Sequence, residues 1–358
     1  MRRMRILAML VPLLLAGLMM STSGGALAAV KAVRVASGLA APVGFTFAPS
    51  GRLVYVERNT GWLRFRSLRS GFDRRVHRIQ RVNFDGERGS LGVDLHPSWP
   101  TQPFVYVFVT RNTAAGLRNQ VLRIRVQNGR GVGVRTILSV AAGPASNHNG
   151  GRILFGPDRK LYVVIGDNAV ESNSQDRTSN LRGKILRLNP DGSIPAMNPA
   201  GSRIWAYGIR NSIGFAFDPR NGRFWESENG PSCNDEVNLI LRGRNHGWGP
   251  SQSCPNTNNS GPTPRILPRH TLVAPVGLTG LAFCDACGLG PAFDGDLLVG
   301  AVNDGRIRRF DLNAARTRFD AGPLLVLDRP GPVLSLEVAP NGRIFFSDFG
   351  AIYRLAPA

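Results

Sequence analysis

Residues 146–167 read SNHNGGRILFGPDRKLYVVIGD. The stretch sets His148 in an Asn/Gly-rich turn ahead of one apolar strand and Asp167 at the end of the next. An imidazole takes or gives a proton near neutral pH, and a neighbouring carboxylate orients it and stabilises its charged form. Taken singly, each residue also has an ordinary structural use, as a strand-capping histidine or a turn aspartate. Arg210-Asn211 precede another apolar strand and Asn229-Gly230-Pro231 follow one, so four polar segments share a placement. Arg210 alone reads equally as a strand-end ion pair, and Asp235 and Glu236 in NDEVN as turn residues.

The elements that must position these residues recur along the chain. Helical periodicity is nearly absent, and 42 Gly with 25 Pro cut the chain into short segments. The repeated unit is an apolar strand, a Pro/Asp/Asn-Gly turn, a second apolar strand and a polar loop. It occurs at 43–65 (VGFTFAPSGRLVYVERNTGWLRF), 91–110, 150–167, 212–230, 280–312 with a long insert, and 335–355. The spacing allows about 55 residues per unit, near the ~40–50 of a propeller blade. One unit cannot bury both faces, whereas six arranged radially can, leaving only short edges. The expected fold is an all-β six-bladed β-propeller. Its ligands bind where loops flanking the first two strands of each blade converge, and His148, Asp167, Arg210, Asn211, Gly230 and Pro231 all lie in such loops.

The chain opens MRRMRILAMLVPLLLAGLMMSTSGGALA, a basic start, an apolar stretch and an Ala26-Leu27-Ala28 cleavage pattern. Residues 1–28 read as a signal peptide and 29–358 as one propeller domain that is periplasmic or secreted. No second long apolar run predicts a transmembrane segment after its removal. The formal charge is +20, with 44 basic and 24 acidic residues, and only Lys31, Lys160 and Lys184 are lysines. The arginines are scattered through strand-like segments such as LRFRSLRS (63–70), and no zinc-finger, RNP or helix-turn-helix pattern occurs. A generally basic surface with no nucleic-acid partner is expected. Four cysteines suit an oxidising compartment, and disulfides 233–254 and 284–287 are the expected pairing.

Several ordered stretches resemble the soluble PQQ-dependent glucose/sorbosone (aldose sugar) dehydrogenase family. They are NHNGGRILFGPDRKLYVVIGD, DRTSNLRGKILRLNPDGSIP (176–195), RIWAYGIRNSIGFAFDP (203–219), ENGPSCNDEVNLILRGRNHGWG (228–249) and, in the first blade, SGLAAPVGFTFAPSGRLVYVERNTG (37–61). The resemblance implies that His148 is the general base on a sugar's anomeric hydroxyl, with Asp167 beside it. It implies that Arg210 and Asn211 contact the quinone PQQ, and that the carbonyls of Gly230 and Pro231 hold a calcium ion against it. These assignments make chemical sense: hydride transfer to an ortho-quinone needs a base at the hydroxyl and positive charge at the quinone oxygens. Calcium accepts backbone carbonyls, and arginine suits an anionic quinone.

The chain departs from the family at three places. A cofactor-binding lysine is usual in the fifth blade, where VGAVNDGRI puts Asn303. An arginine pair is usual before the last blade's turn, where GPVLSLEVAPNG has neither, with Arg329 just upstream. A glutamine or glycine is usual before the second blade, where GERGSLG puts Glu87 and Arg88, both candidate cofactor contacts. Three functions follow: a PQQ-dependent aldose dehydrogenase feeding an external electron acceptor, a non-catalytic propeller binding a glycan or protein partner, and a lactonase-type hydrolase. Lactonases of this shape line their metal with several carboxylates and asparagines, so the dehydrogenase is the leading expectation and the non-catalytic propeller the second.

Overall fold

The computed structural model describes residues 29–250, 254 and 262–358. The expected signal peptide, 1–28, lies outside them. Among the described residues the strands form six four-stranded antiparallel sheets arranged as a six-bladed β-propeller. The innermost strands are Gly44–Phe47, Ser90–Leu95, Ile153–Phe155, Ser212–Phe217, Leu278–Phe283 and Ser335–Val338. Each is the first strand of a repeated unit found in the sequence, and each pairs with the second strand of that unit.

Blades stack face to face, so their middle strands are covered on both sides. Leu53–Val56, Leu161–Ile165 and Leu297–Ala301 are buried at every position. That is why they read as continuous apolar runs and not as the alternation of a sheet with one wet face. Val54, Leu63, Val93, Val107 and Ile124 form one such interblade layer.

Near the axis the inner strands crowd together, and glycine sets how close they come. A Cβ on Gly214 would lie 1.9 Å from the Thr279 carbonyl oxygen, and one on Gly92 would lie 2.3 Å from that of Gly151. The Gly-apolar pattern opening the units (VGFTF, LGVDL, IGFAF, TGLAF) reflects this close approach.

The sixth blade is built from both ends of the sequence. Val30–Ser37 pairs antiparallel with Ala351–Pro357, so its outermost strand comes from the N-terminal region and closes the ring. Repeat counting misses this strand because it precedes the first unit. Radial closure leaves the blades only short, protected edges.

Both expected disulfides are present, Cys233–Cys254 and Cys284–Cys287. The second is buried with Leu289, Phe293 and Phe346, a structural setting and not that of an exposed redox motif. No helix among the described residues is long and apolar enough to cross a membrane. Because strands alternate in direction, segments before each first strand and after each second strand meet on one face of the disc. The tight turns between those strands meet on the other.

Candidate active site

His148 and Asp167 lie at that first face, on either side of the first hairpin of blade 3. The His148 Nδ1 is 2.8 Å from Asp167 Oδ1. Asp167 is fully buried and His148 is 8 % exposed. The second Asp167 oxygen accepts the Trp248 indole N–H at 2.7 Å, and Oδ1 also accepts the Ala169 N–H at 2.7 Å. An ionised carboxylate only accepts, so the hydrogen between the pair belongs to Nδ1 and the lone pair to Nε2. The imidazole is thereby a proton acceptor, and it lines the cavity.

The backbone of His148 is held as firmly as its ring. Its φ is +54°, a left-handed conformation that non-glycine residues adopt at a cost of about 1 kcal/mol. Three contacts fix it there: His148 N–H donates to Glu87 Oε2 at 2.7 Å, and its carbonyl accepts from Asn168 N–H at 3.1 Å and Asn168 Nδ2 at 2.9 Å. Glu87 Oε2 also accepts from Asn211 Nδ2 at 3.0 Å, while Asn211 Oδ1 accepts the Gly150 N–H at 3.3 Å. Blades 2, 3 and 4 are thus tied together around the histidine.

Arg210 enters from blade 4. Its guanidinium lies 5.3 Å from the centre of the Trp248 ring and donates to the Asn229 carbonyl at 2.8 Å, while its carbonyl accepts the Asp167 N–H at 2.8 Å. Burial lowers its pKa, opposed by the negative charges of Asp167 and Glu228. Its Nε is buried with no hydrogen-bond partner. Asp235 orders the turn beyond it: Oδ1 accepts the Gly230 N–H at 2.9 Å, and Oδ2 accepts those of Val276 and Gly277 at 2.8 and 2.7 Å. Among the described residues the carbonyl oxygens of Gly230 and Pro231 accept no hydrogen bond.

These residues surround a cavity of about 460 Å³ at the mouth of the central channel. Its walls include His148, Glu87, Arg210, Asn211, Gly230 and Pro231, and Asn303 stands on the blade 5 side. Arg88 does not reach it. That side chain is buried and its Nη2 donates to the carbonyls of Gly143, Pro144 and Ala145, so it pins the segment preceding His148. Arg88 was expected to contact a cofactor; the three carbonyls claim it because they are otherwise unsatisfied beneath the loop.

The last blade contributes Leu334 and Phe349 to the wall, and no arginine. Arg329 is occupied elsewhere, paired with Asp348 at 2.9 Å and stacked 4.6 Å from the Tyr353 ring centre. The other cations on the cavity wall are Arg58 and Arg152, neither singled out in the sequence. Arg58 donates to the carbonyls of Phe84 and Gly86. Arg152 sits at the base of the cavity, where it donates to Ser335 Oγ at 2.8 Å and pairs with Glu337. Trp248, Asn168 and Asp235 were also missed as site residues; Trp248 is brought to Asp167 from 81 residues away, a separation without local pattern.

Behind Arg210 lies a set of carboxyls, with Glu226 and Glu228 buried and Glu236 half-buried. Burial, with mutual repulsion, pushes Glu226 up to about 8 and Glu236 to about 7, and raises Glu228 well above the ordinary carboxyl range. Asn238 donates to both Glu226 and Glu236. Lys184, buried under the 173–182 loop with its Nζ on the Asn173 and Arg182 carbonyls, is lowered by burial to about 7.

The arrangement is a positioned base beside a guanidinium at a channel mouth, which suits proton abstraction from a bound hydroxyl. The chain matches the family model for glucose/sorbosone dehydrogenase over residues 39–354. It belongs to that family. As a family member it is an oxidoreductase of the quinoprotein aldose/glucose dehydrogenase type. It is 26 % identical to the aldose sugar dehydrogenase YliI of Escherichia coli over 326 residues, 85 % of this chain and 86 % of that protein. To the quinoprotein glucose dehydrogenase B of Acinetobacter calcoaceticus it is 33 % identical over 246 residues, 60 % of this chain and 51 % of that one. Among solved structures, the PQQ-bound aldose sugar dehydrogenase of Streptomyces coelicolor superposes with a TM-score of 0.79 at 27 % identity, covering 92 % of this chain and 98 % of that one.

Proposed function

We propose that the protein oxidises an aldose at its anomeric hydroxyl to the lactone, using PQQ and calcium and passing electrons to an external acceptor. The observation that supports this reading most is the His148–Asp167 pair, opening on a cavity shared with Arg210 and the Gly230-Pro231 turn. His148 Nε2 takes the proton of the sugar hydroxyl. Asp167 keeps Nδ1 protonated and stabilises the imidazolium that results, and Trp248 holds Asp167 in place. Arg210 and Asn211 supply donors at the same wall. A quinone bound there supplies the two-electron sink for the hydride, and calcium on the Gly230 and Pro231 carbonyls adds positive charge at its oxygens.

The residues fit such a cofactor at its reactive end. The orphaned Arg210 Nε and the two unengaged carbonyls are polar groups for which a ligand supplies partners. At the other end Arg58 and Arg152 are the cations, in place of the family's lysine and arginine pair. The basic-apolar-small leader pattern and two disulfides support export to the periplasm or beyond. Asn303 and Leu334 favour a second reading, a propeller that binds a neutral saccharide without oxidising it.

Titration of the calcium-loaded mature protein with PQQ, followed by absorbance, separates the two. Saturable binding with aldose-dependent dye reduction that His148→Ala abolishes supports the dehydrogenase. Absence of quinone binding at micromolar protein overturns it and leaves the saccharide-binding reading.

A further inference from the structure

A second concave site lies on the opposite face of the disc, where blade 6 meets blade 1. The groove measures about 920 Å³ and lies between the inner turns of those blades and the strand pair that closes the ring. Its charged lining consists of Arg34, Arg52, Arg69 and Arg354, with no acidic residue. Among the described residues none of the four forms an ion pair or donates a side-chain hydrogen bond, and the Arg354 Nε is buried without a partner.

Elsewhere on the surface arginines are paired only in part: among the described residues Arg125 and Arg135 form no ion pair, whereas the cavity at His148 sets its arginines beside Glu87 and Asp235. Arg220 pairs with Asp285 and Asp294, Arg306 with Asp328, and Arg318 with Asp320, even though all are well exposed. What sets the groove apart is that four unmatched guanidiniums gather in one concavity without a carboxylate. Gathering like charges costs electrostatic energy that an anion recovers, and each guanidinium offers a planar fork suited to phosphate oxygens. The floor is apolar, with Phe47, Leu68 and Phe345. Low-polarity walls strengthen the field of a one-signed cleft.

We propose that this groove binds a multivalent phosphate-class anion, with Arg34, Arg52, Arg69 and Arg354 as its donors. The site is remote from the His148 cavity and independent of the dehydrogenase reading. Both Arg52 and Arg69 are exposed and lie outside the strands, so their charge can be reversed without touching the core.

The test is calorimetric titration of the folded mature protein with inorganic tripolyphosphate in 0.15 M salt, where exposed long-range attraction is largely screened. R52E/R69E is compared with R125E/R135E, an equal charge change on the exposed outer part of blade 2. Groove binding predicts at least a tenfold loss in the first variant and less than twofold in the second, with both melting like the parent. Sedimentation with phosphatidylglycerol vesicles then assigns the source. Vesicle binding lost in R52E/R69E places the phosphate on a lipid headgroup, and tripolyphosphate binding without vesicle binding places it on a soluble anion. No binding by the parent protein, or equal losses in the two variants, overturns the proposal.

Discussion

The two ends of the central cavity are built differently. At the blade 3 and 4 end the polar side chains interlock: Trp248 holds Asp167, Asp167 holds His148, Glu87 and Asn168 hold the His148 backbone, and Asp235 orders the Gly230 turn. At the blade 5 and 6 end the wall is Asn303, Leu334 and Phe349, and Arg152, which reaches it from the base, is committed to Ser335 and Glu337. Chemistry that tolerates little displacement sits on the interlocked end. Binding of a charged tail depends mainly on having a cation within reach, so that end can change its residues with less consequence for the reaction.

The contrast makes graded predictions. Replacing His148 with alanine removes the proposed base, and aldose-dependent dye reduction at saturating quinone is expected to fall by about 10²–10⁴-fold. Quinone affinity, measured by absorbance titration, is expected to change by less than threefold. A large loss of quinone affinity would break the division between the two ends. Asp167→Asn leaves the ring without a charged acceptor, and a loss of about 10²-fold in turnover is expected, with retained binding. The opposite end is probed by gain. Asn303→Lys with Leu334→Arg adds two cations to the wall and is expected to tighten PQQ binding by about tenfold, or ~1.4 kcal/mol, with turnover of the saturated enzyme nearly unchanged.

The smallest expected effect concerns the carboxyls behind Arg210. Glu226, at about 8 when folded, holds its proton between pH 4.5 and 8, while the unfolded chain has lost it. The stability this contributes is complete below about pH 4.5 and is lost as pH rises through 8. The melting temperature of the parent minus that of Glu226→Gln is therefore expected to fall by a few degrees from pH 5 to 8. A gap that widens with pH would contradict the placement of a neutral Glu226.

Much of this was legible in the sequence where chemistry is local. Six strand-turn-strand units and their Gly-apolar openings gave the propeller, because blades buried on both faces must read as apolar runs separated by turns. His148, Asp167, Arg210 and Asn211 were placed by their positions beside those strands and by resemblance. What stayed hidden depends on distant pairing. The ring-closing strand 30–37 lies outside the repeat, Trp248 reaches Asp167 across 81 residues, and Arg152 meets Glu337 across 185. Arg88 shows the converse. Its neighbours in sequence place it beside the site, but three carbonyls turn its side chain away from the cavity.

The most direct test of the central claim is a single-turnover experiment. Protein loaded with calcium and PQQ is mixed without oxygen or dye with an aldose, and the absorbance of the bound quinone is followed. Reduction of one quinone per chain, fast in the parent and slowed at least a hundredfold in His148→Ala, is the predicted result. A quinone that binds stoichiometrically but is reduced by no aldose, or equally fast without His148, would contradict it.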